Sequence, residues 1–263
     1  MAIDEWLLDQ AVGRTTGGAA LRFYRWQRPP LSLGFHQRRL EPHWLSLAEA
    51  GEIDLVRRPS GGRAVLHGGD LTYALVWPNP PGRRLEAYGM ACRWLREGFA
   101  DLGLPLSFGT QGARGGSANC FATATAADLL HGCGAKRIGS AQLWRRGRLL
   151  QHGSILLDPP SGLWRQLFGV DPPALPPLPL GQEDLILRLR RAAMRWLPLG
   201  AGAGPVGAEE EELTLEERPL SRGEWADIAA GLGRYRPLSL LELETSPEAT
   251  MAWETWPRGR PEG

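Results

Sequence analysis

Lys136 is the one lysine among the 30 Lys and Arg side chains of this 263-residue chain. It stands in Gly134-Ala135-Lys136-Arg137-Ile138-Gly139-Ser140-Ala141-Gln142, directly beside an arginine, so plain positive charge was already supplied there. An ammonium is a compact donor whose pKa moves with burial, whereas a guanidinium cannot give up a proton near neutrality. A coding bias that writes nearly every cation as arginine would leave a stray lysine by drift. The setting instead favours chemistry that arginine cannot perform. Cys120 is the matching candidate nucleophile, because it follows a Gly-rich stretch and precedes Phe121, while Cys92 falls in a helical pattern and Cys133 in a turn. A free cysteine is most often a small buried hydrophobe. A thiol of ordinary pKa near 8.5 is only slightly ionised at neutral pH, and a neighbouring ammonium raises its thiolate fraction. Cys120 and Lys136 lie sixteen positions apart across strand-like segments, which permits adjacency without requiring it.

Two further segments could bind a ligand. Arg57-Arg58-Pro59-Ser60-Gly61-Gly62-Arg63-Ala64-Val65-Leu66-His67 places three arginines and a histidine in eleven positions around adjacent glycines. A Gly-Gly pair alone is usually a plain turn, but it also lets backbone approach a ligand closely, and clustered arginine suits a carboxylate or phosphate. Gln151-His152-Gly153-Ser154 is a polar step inside an otherwise apolar run. It reads either as a strand lining a pocket, with the glycine making room, or as a satisfied core histidine.

These residues must be held by a frame, and its periodicities are legible. Ile3 to Val12 predicts an opening amphipathic helix, and Leu85 to Leu102 repeats Ala91, Leu95, Phe99 and Leu102 along one face. Strand-like runs cover Leu21–Trp26, Leu31–Phe35, Asp54–Arg58, Arg63–His67 and Leu71–Trp77. A hairpin is expected from Arg137–Arg145 and Leu149–Leu157, turned at Arg146-Gly147. Gln111 to Asn119 is Gly-rich and predicts a loop. Helices near 161–168 and 182–197 flank the Pro-rich stretch Pro172 to Pro179. Gly200 to Gly207 reads as a linker, the acidic run Glu209 to Glu212 follows, and a last helix is expected near Ser221 to Leu232. Short strands with helices before and after, without strict alternation, predict an α+β or mixed-sheet α/β fold. The expected division is a catalytic domain at 1–199 and a small C-terminal appendage at 200–263.

Composition narrows the function further. A net charge of +1 leaves no electrostatic footprint for nucleic acid or an anionic membrane. No apolar run approaches the roughly 20 residues that cross a bilayer. The opening residues carry no export pattern, and three cysteines form neither a disulfide framework nor a metal-ligand spacing. A cytoplasmic protein with no metal is expected.

At these segments the chain resembles the lipoate/biotin protein ligase superfamily, and within it the Cys-dependent octanoyltransferases. The resemblance covers Arg22-Phe23-Tyr24-Arg25-Trp26 to Leu33-Gly34, the Arg57–His67 segment, Cys120-Phe121, Lys136 to Gln142, and Gln151 to Leu157. It implies the mixed-sheet catalytic domain shared with biotin protein ligases. It implies Cys120 as the acyl-accepting cysteine and Lys136 as the family lysine. It also implies an acyl pocket lined by Arg58, Gly61, Gly62, Arg63, Ala64, His67, Gly139, Ser140, Ala141, Gln142, His152, Gly153 and Ser154. The implied partners are octanoyl-acyl carrier protein and the lipoyl domains of 2-oxoacid dehydrogenases or the glycine cleavage H protein, with no cofactor. The ATP-using ligases carry three glycines where this chain reads Gly61-Gly62-Arg63, and an acid where it has Gly68. After Cys-Phe the transferases show Pro, Ser, Tyr and Glu, where this chain reads Ala124-Thr125-Ala126-Ala127-Asp128. An ATP-dependent lipoate ligase, a lipoyl amidotransferase and a non-catalytic acyl-binding paralogue are the alternatives.

Overall fold

The computed structural model describes residues 1–12, 19–109, 128–197 and 216–235. Cys120, the Gln111–Asn119 stretch, Gly200–Gly207 and Glu209–Glu212 lie outside the described residues. The described helices are α1 (Ala2–Val12), α2 (Pro42–Glu49), α3 (Arg84–Ala100), α4 (Ser161–Phe168), α5 (Gln182–Trp196) and α6 (Arg222–Ala230). The strands are β1 (Ala20–Tyr24), β2 (Pro30–Leu33), β3 (Asp54–Arg57), β4 (Val65–Leu66) and β5 (Asp70–Trp77), then β6 (Ser107–Phe108), β7 (Asp128–Leu130), β8 (Lys136–Arg145) and β9 (Arg148–Leu156). The fold is of the expected mixed kind. Six strands form one sheet in the order β1-β5-β9-β8-β7-β6, each antiparallel to its neighbour, and three form a second in the order β3-β2-β4. In the small sheet β2 runs parallel to β3 and antiparallel to β4.

Burial explains the placement of the strands. Every residue of β5 is buried, as its unbroken run Leu71-Thr72-Tyr73-Ala74-Leu75-Val76-Trp77 requires of a central strand with both faces covered. One face meets α3 and α5 through Tyr73, Leu75, Trp94, Leu95, Phe99 and Leu189. Gly98 lets those helices close, since a Cβ there would stand 3.0 Å from Leu189 Cδ2. On the other face Ala74, Val76 and Leu150 pack against Leu8 and Ala11 of α1. The small sheet has its own core with Trp44 of α2 and Trp164 and Leu167 of α4.

The β8–β9 hairpin turns where expected. Arg146 and Gly147 have φ of +48° and +76°, the two positive values that a right-twisted two-residue turn demands. Three elements went unassigned in the sequence. α2 is only eight residues long and has no side-chain cap bond, although Pro42 in its first turn is a start signal. β6 and β7, of two and three residues, are too short to carry a period.

The Pro-rich stretch is fixed by Arg137, which is 1% exposed. Its guanidinium donates to the carbonyls of Leu156 and Pro176, and its Nε donates to His131 Nε2 at 2.9 Å. Burial and the Arg137 charge together pull the His131 imidazole down to about 4. Between that value and the ordinary 6.5 the unfolded chain binds the extra proton, so stability contributed by His131 is complete above 6.5 and is lost as pH falls toward 4. Gln at this position keeps an acceptor for Arg137 without the titration. Urea unfolding of His131→Gln between pH 7 and 5 is therefore expected to show a shallower loss of stability than the parent chain.

Candidate active site

A cleft opens between the two sheets. Ten of the expected site residues line it: Arg58, Gly61, Gly62 and His67 from the small-sheet side, and Gly139, Ser140, Ala141, His152, Gly153 and Ser154 from β8 and β9. Met1, Tyr24, Ser32, Val65 and Thr72 complete the wall and were not anticipated. Lys136, Arg63, Ala64 and Gln142 stand outside the lining. Ala64 is fully buried in the small-sheet core. The Arg63 carbonyl accepts from Arg58 at 2.6 Å. Gln142 bonds Gln151 at 2.8 Å and accepts from Trp144 at 3.0 Å.

The register explains how β8 and β9 divide their side chains. Ala141 pairs with His152 and Ser140 with Gly153, and directly opposed residues share a face. A Cβ on Gly153 would stand 2.7 Å from Tyr73 Cε1, Ser140 Oγ and the Gly139 carbonyl. The glycine therefore leaves room for the Tyr73–Ser140 hydrogen bond of 2.7 Å while itself lining the cleft. Ala141, on the His152 side, is the small residue that bounds the slot itself.

Two histidines stand in the wall with their ring nitrogens engaged. His67 Nε2 lies 2.8 Å from Ser32 Oγ and its Nδ1 lies 3.0 Å from Asp70 Oδ2. A carboxylate only accepts, so Nδ1 carries a proton and, in the neutral ring, Nε2 accepts from Ser32. The same Asp70 oxygen accepts from Ser154 at 2.7 Å and Thr72 at 3.1 Å. His152 meets Ser60 Oγ through Nε2 and faces Asp4 Oδ2 across 3.8 Å through Nδ1. Burial pushes His152 below the ordinary imidazole value, with Asp4 opposing the shift and the Arg58 charge adding to it. Burial alone would raise the Asp4 carboxyl, but the facing imidazole and the Arg22 guanidinium outweigh it and hold Asp4 well below the usual carboxylate range.

The two cations expected to act here are engaged within the protein. Arg58 is 6% exposed. Its Nε and Nη2 donate to the Gly61 carbonyl, Nη2 also to the Arg63 carbonyl, and Nη1 to the Ser32 carbonyl and hydroxyl. Its guanidinium thus shapes the Gly61-Gly62 loop. Lys136 is 2% exposed, and its Nζ lies 2.7 Å from Asp128 Oδ1. Asp128 pairs in register with Gly139, which lines the cleft, so the ion pair is held in the adjoining strand. The described residues resume at Asp128, eight positions after Cys120. Asp128 supplies a carboxylate at the end of the stretch whose sequence departs from the transferases, a role the sequence signalled only by the acid itself.

The other two thiols differ sharply in setting. Cys92 is buried in the core beneath Gln151, which contacts its sulfur at 3.3 Å, and burial pushes its pKa to about 12. Cys133 is exposed in the β7–β8 turn. Among the described residues no cluster of His, Cys, Asp and Glu could hold a metal ion, and no helix is long and apolar enough to cross a membrane.

Residues 1–169 match the lipoyl protein ligase A/B catalytic domain, and the chain belongs to this family. It is similar to octanoyltransferase LipM of Symbiobacterium thermophilum, at 37% identity over 97% of this chain and 92% of the relative. It is also similar to octanoyltransferase LipM of Carboxydothermus hydrogenoformans, at 42% identity over 60% of each chain. Among solved structures, a bi-partite lipoate protein ligase from Thermoplasma acidophilum aligns with a TM-score of 0.62, over 87% of this chain and 86% of that one. At 18% identity that is a likeness of fold.

Removing one partner of a buried ion pair strands the other, at a cost of about 3–5 kcal/mol. Asp128→Ala is expected to lower the unfolding free energy by that order in urea titrations. The double change Asp128→Leu with Lys136→Met should recover part of the loss, because neither charge is then left behind.

Proposed function

We propose that the chain is an octanoyltransferase that moves octanoyl from acyl carrier protein to a lysine of lipoyl domains through a thioester on Cys120. The observation that carries this reading is the cleft wall. Of the polar groups that reach it, Arg58 bonds Ser32, Ser32 bonds His67, and His67 bonds Asp70 behind the wall, while glycine and alanine form much of the remaining surface. Such a wall offers an apolar acyl chain a dry slot and offers a phosphate little. A ligase that activates its acid with ATP needs cations directed at the adenylate. Here the Arg58 donors go to the carbonyls of Ser32, Gly61 and Arg63, and the Lys136 ammonium faces Asp128. The names of the relatives in Symbiobacterium and Carboxydothermus support the same reading.

In the first half-reaction the Cys120 thiolate attacks the donor thioester, the carbonyl carbon forms a bond to sulfur, and the carrier's thiolate leaves and takes up a proton. One thioester replaces another, so the step is close to isoenergetic and needs no cofactor. In the second, a lysine ε-amine of a lipoyl domain attacks the acyl-enzyme, loses a proton, and expels Cys120 as an amide forms. Lys136, held by Asp128 in the strand that follows the Cys120 segment, stabilises the thiolate and the developing oxyanion and relays the proton of the amine. The acceptors are lipoyl domains of 2-oxoacid dehydrogenases or the glycine cleavage H protein, and the reaction belongs to the cytoplasm. The test is transfer from octanoyl-carrier protein to a lipoyl domain without ATP. Amide formation under these conditions supports the reading, and ATP–pyrophosphate exchange driven by octanoate or lipoate would replace it with a ligase.

Two substitutions refine it. Lys136→Arg keeps a cation but places a bulkier, non-exchanging group in the buried site where the ammonium pairs with Asp128. Its turnover is expected to fall on the order of 10²-fold or more, the usual scale for a misplaced acid–base group. Ala141→Leu projects new apolar volume into the slot, and competition between octanoyl and shorter acyl donors is expected to shift toward the shorter ones. Gly153→Ala strikes Tyr73 and Ser140 instead and is expected to lower stability without that selective shift.

A further inference from the structure

The matched catalytic-domain model ends at residue 169, yet a segment far beyond it is tied to the cleft. α6 opens on a capping box between Ser221 and Glu224 and buries Ile228, and Leu232–Tyr235 follow as a 3-10 turn. Both elements pack on α1, and the turn also meets β3. Neither Arg234 nor Tyr235 lines the cleft. Both reach Glu5 of α1: the Tyr235 hydroxyl donates to Glu5 Oε2, and Arg234 Nη1 lies 3.4 Å from Oε1. The Glu5 side chain is only 9% exposed, and Arg145, at the end of β8, holds it from the sheet side.

We propose that Arg234 and Tyr235 are positioning residues for the acyl cleft, acting through Glu5 and Asp4 of α1 on His152 and Tyr24. The neighbour of Glu5 along α1 is Asp4, which is fully buried. Its carboxylate accepts from Tyr24 OH at 2.8 Å, pairs with Arg22, and faces His152. Tyr24 and His152 both line the cleft. An isolated helix of eleven residues is marginal in water, and among its described side chains Leu8 and Ala11 are the buried apolar anchors, with Leu7 partly buried beside them. Its placement over the sheet therefore depends also on polar clamps, from Arg22, Tyr24 and Arg145 on the sheet side and from Arg234 and Tyr235 of the C-terminal segment. Burial alone would raise the Glu5 carboxyl, but the Tyr235 and Arg145 hydrogen bonds outweigh it and hold it low, so Glu5 serves as an anionic clasp. Loosening the C-terminal clasp lets α1 shift, and Asp4 and the His152 wall shift with it.

The test uses the full-length chain with Tyr235→Phe combined with Arg234→Gln, beside Asp4→Asn alone and the triple variant. Amide exchange of residues 2–12 is expected to quicken on the order of 10-fold in the double variant, while exchange in α3 stays at the parent rate. The His152 imidazole, followed by NMR titration, should move up toward its ordinary value as water reaches a ring that burial now holds low. KM for octanoyl-carrier protein is expected to rise about 5-fold with kcat changed by less than about 2-fold, and the effect should not add to that of Asp4→Asn. Unchanged exchange in α1, or faster exchange with His152 titrating as in the parent chain, would overturn the proposal. The kinetic arm rests on the octanoyltransferase reading. Absence of transfer by the parent chain would sink that reading, and the exchange and titration arms would still decide this one.

Discussion

One carboxylate oxygen ties the two sheets together. Asp70 Oδ2 accepts from Thr72 on its own strand, from Ser154 on β9, and from His67, which follows β4 of the small sheet. The sheets share no backbone ladder among the described residues, so their relative placement rests on packing, on this hub and on the contact of His152 with Ser60. From His67 the bonding continues to Ser32 Oγ, from Ser32 to the Arg58 guanidinium, and from Arg58 to the carbonyls of Gly61 and Arg63. The Gly61-Gly62 loop is thus fastened to the floor of the cleft. Gly34 shows how tight the fit is, because a Cβ there would stand 1.8 Å from the Gly62 carbonyl. In a water-poor interior such a network is stabilising only when each member is satisfied, and here each donor named has an acceptor.

The same network sets what the cleft can hold. Charged and polar side chains lie all around it, yet their hydrogen bonds are directed at one another and at backbone. None of the buried side-chain nitrogens and oxygens without a hydrogen-bond partner, among the described residues, belongs to a cleft-lining residue. An apolar chain can enter such a slot without leaving a polar group newly unpaired, whereas an anion would find the guanidinium of Arg58 already coordinated by oxygen. On the proposed reading specificity rests on volume, and Ala141 lines the cleft on the His152 side.

Much of this was legible in the chain, and what was not has physical causes. The hairpin turn at Arg146-Gly147, the central strand Leu71–Trp77 and the long helix α3 announce themselves by local pattern, because their periods and turn chemistry are complete within a few residues. The lone Lys136 opens β8, and the Gln151–Ser154 step lies in β9, where His152, Gly153 and Ser154 line the cleft. Residue type does not tell which internal partners a side chain will have. Arg58 lines the cleft while its donors hold the Gly61-Gly62 loop, and Gly153 lines it while leaving room for Tyr73. Asp4, Asp70 and Asp128 were passed over because their roles depend on partners brought close by the sheets. No local spacing tells that an acid in the first helix faces His152 on the ninth strand. The element α2 escaped for a simpler reason, since eight residues hold barely two turns.

The central claim is that the acyl group passes through a covalent bond to Cys120 while the cleft holds its chain. Intact-mass measurement of the protein after mixing with octanoyl-carrier protein in the absence of ATP, followed by peptide mapping, tests it most directly. The account predicts one added octanoyl group on the peptide containing Cys120, lost when a lipoyl domain is supplied and absent from Cys120→Ser. An unmodified protein that still transfers octanoyl, or an acyl group mapped to Cys133 or Cys92, would contradict it.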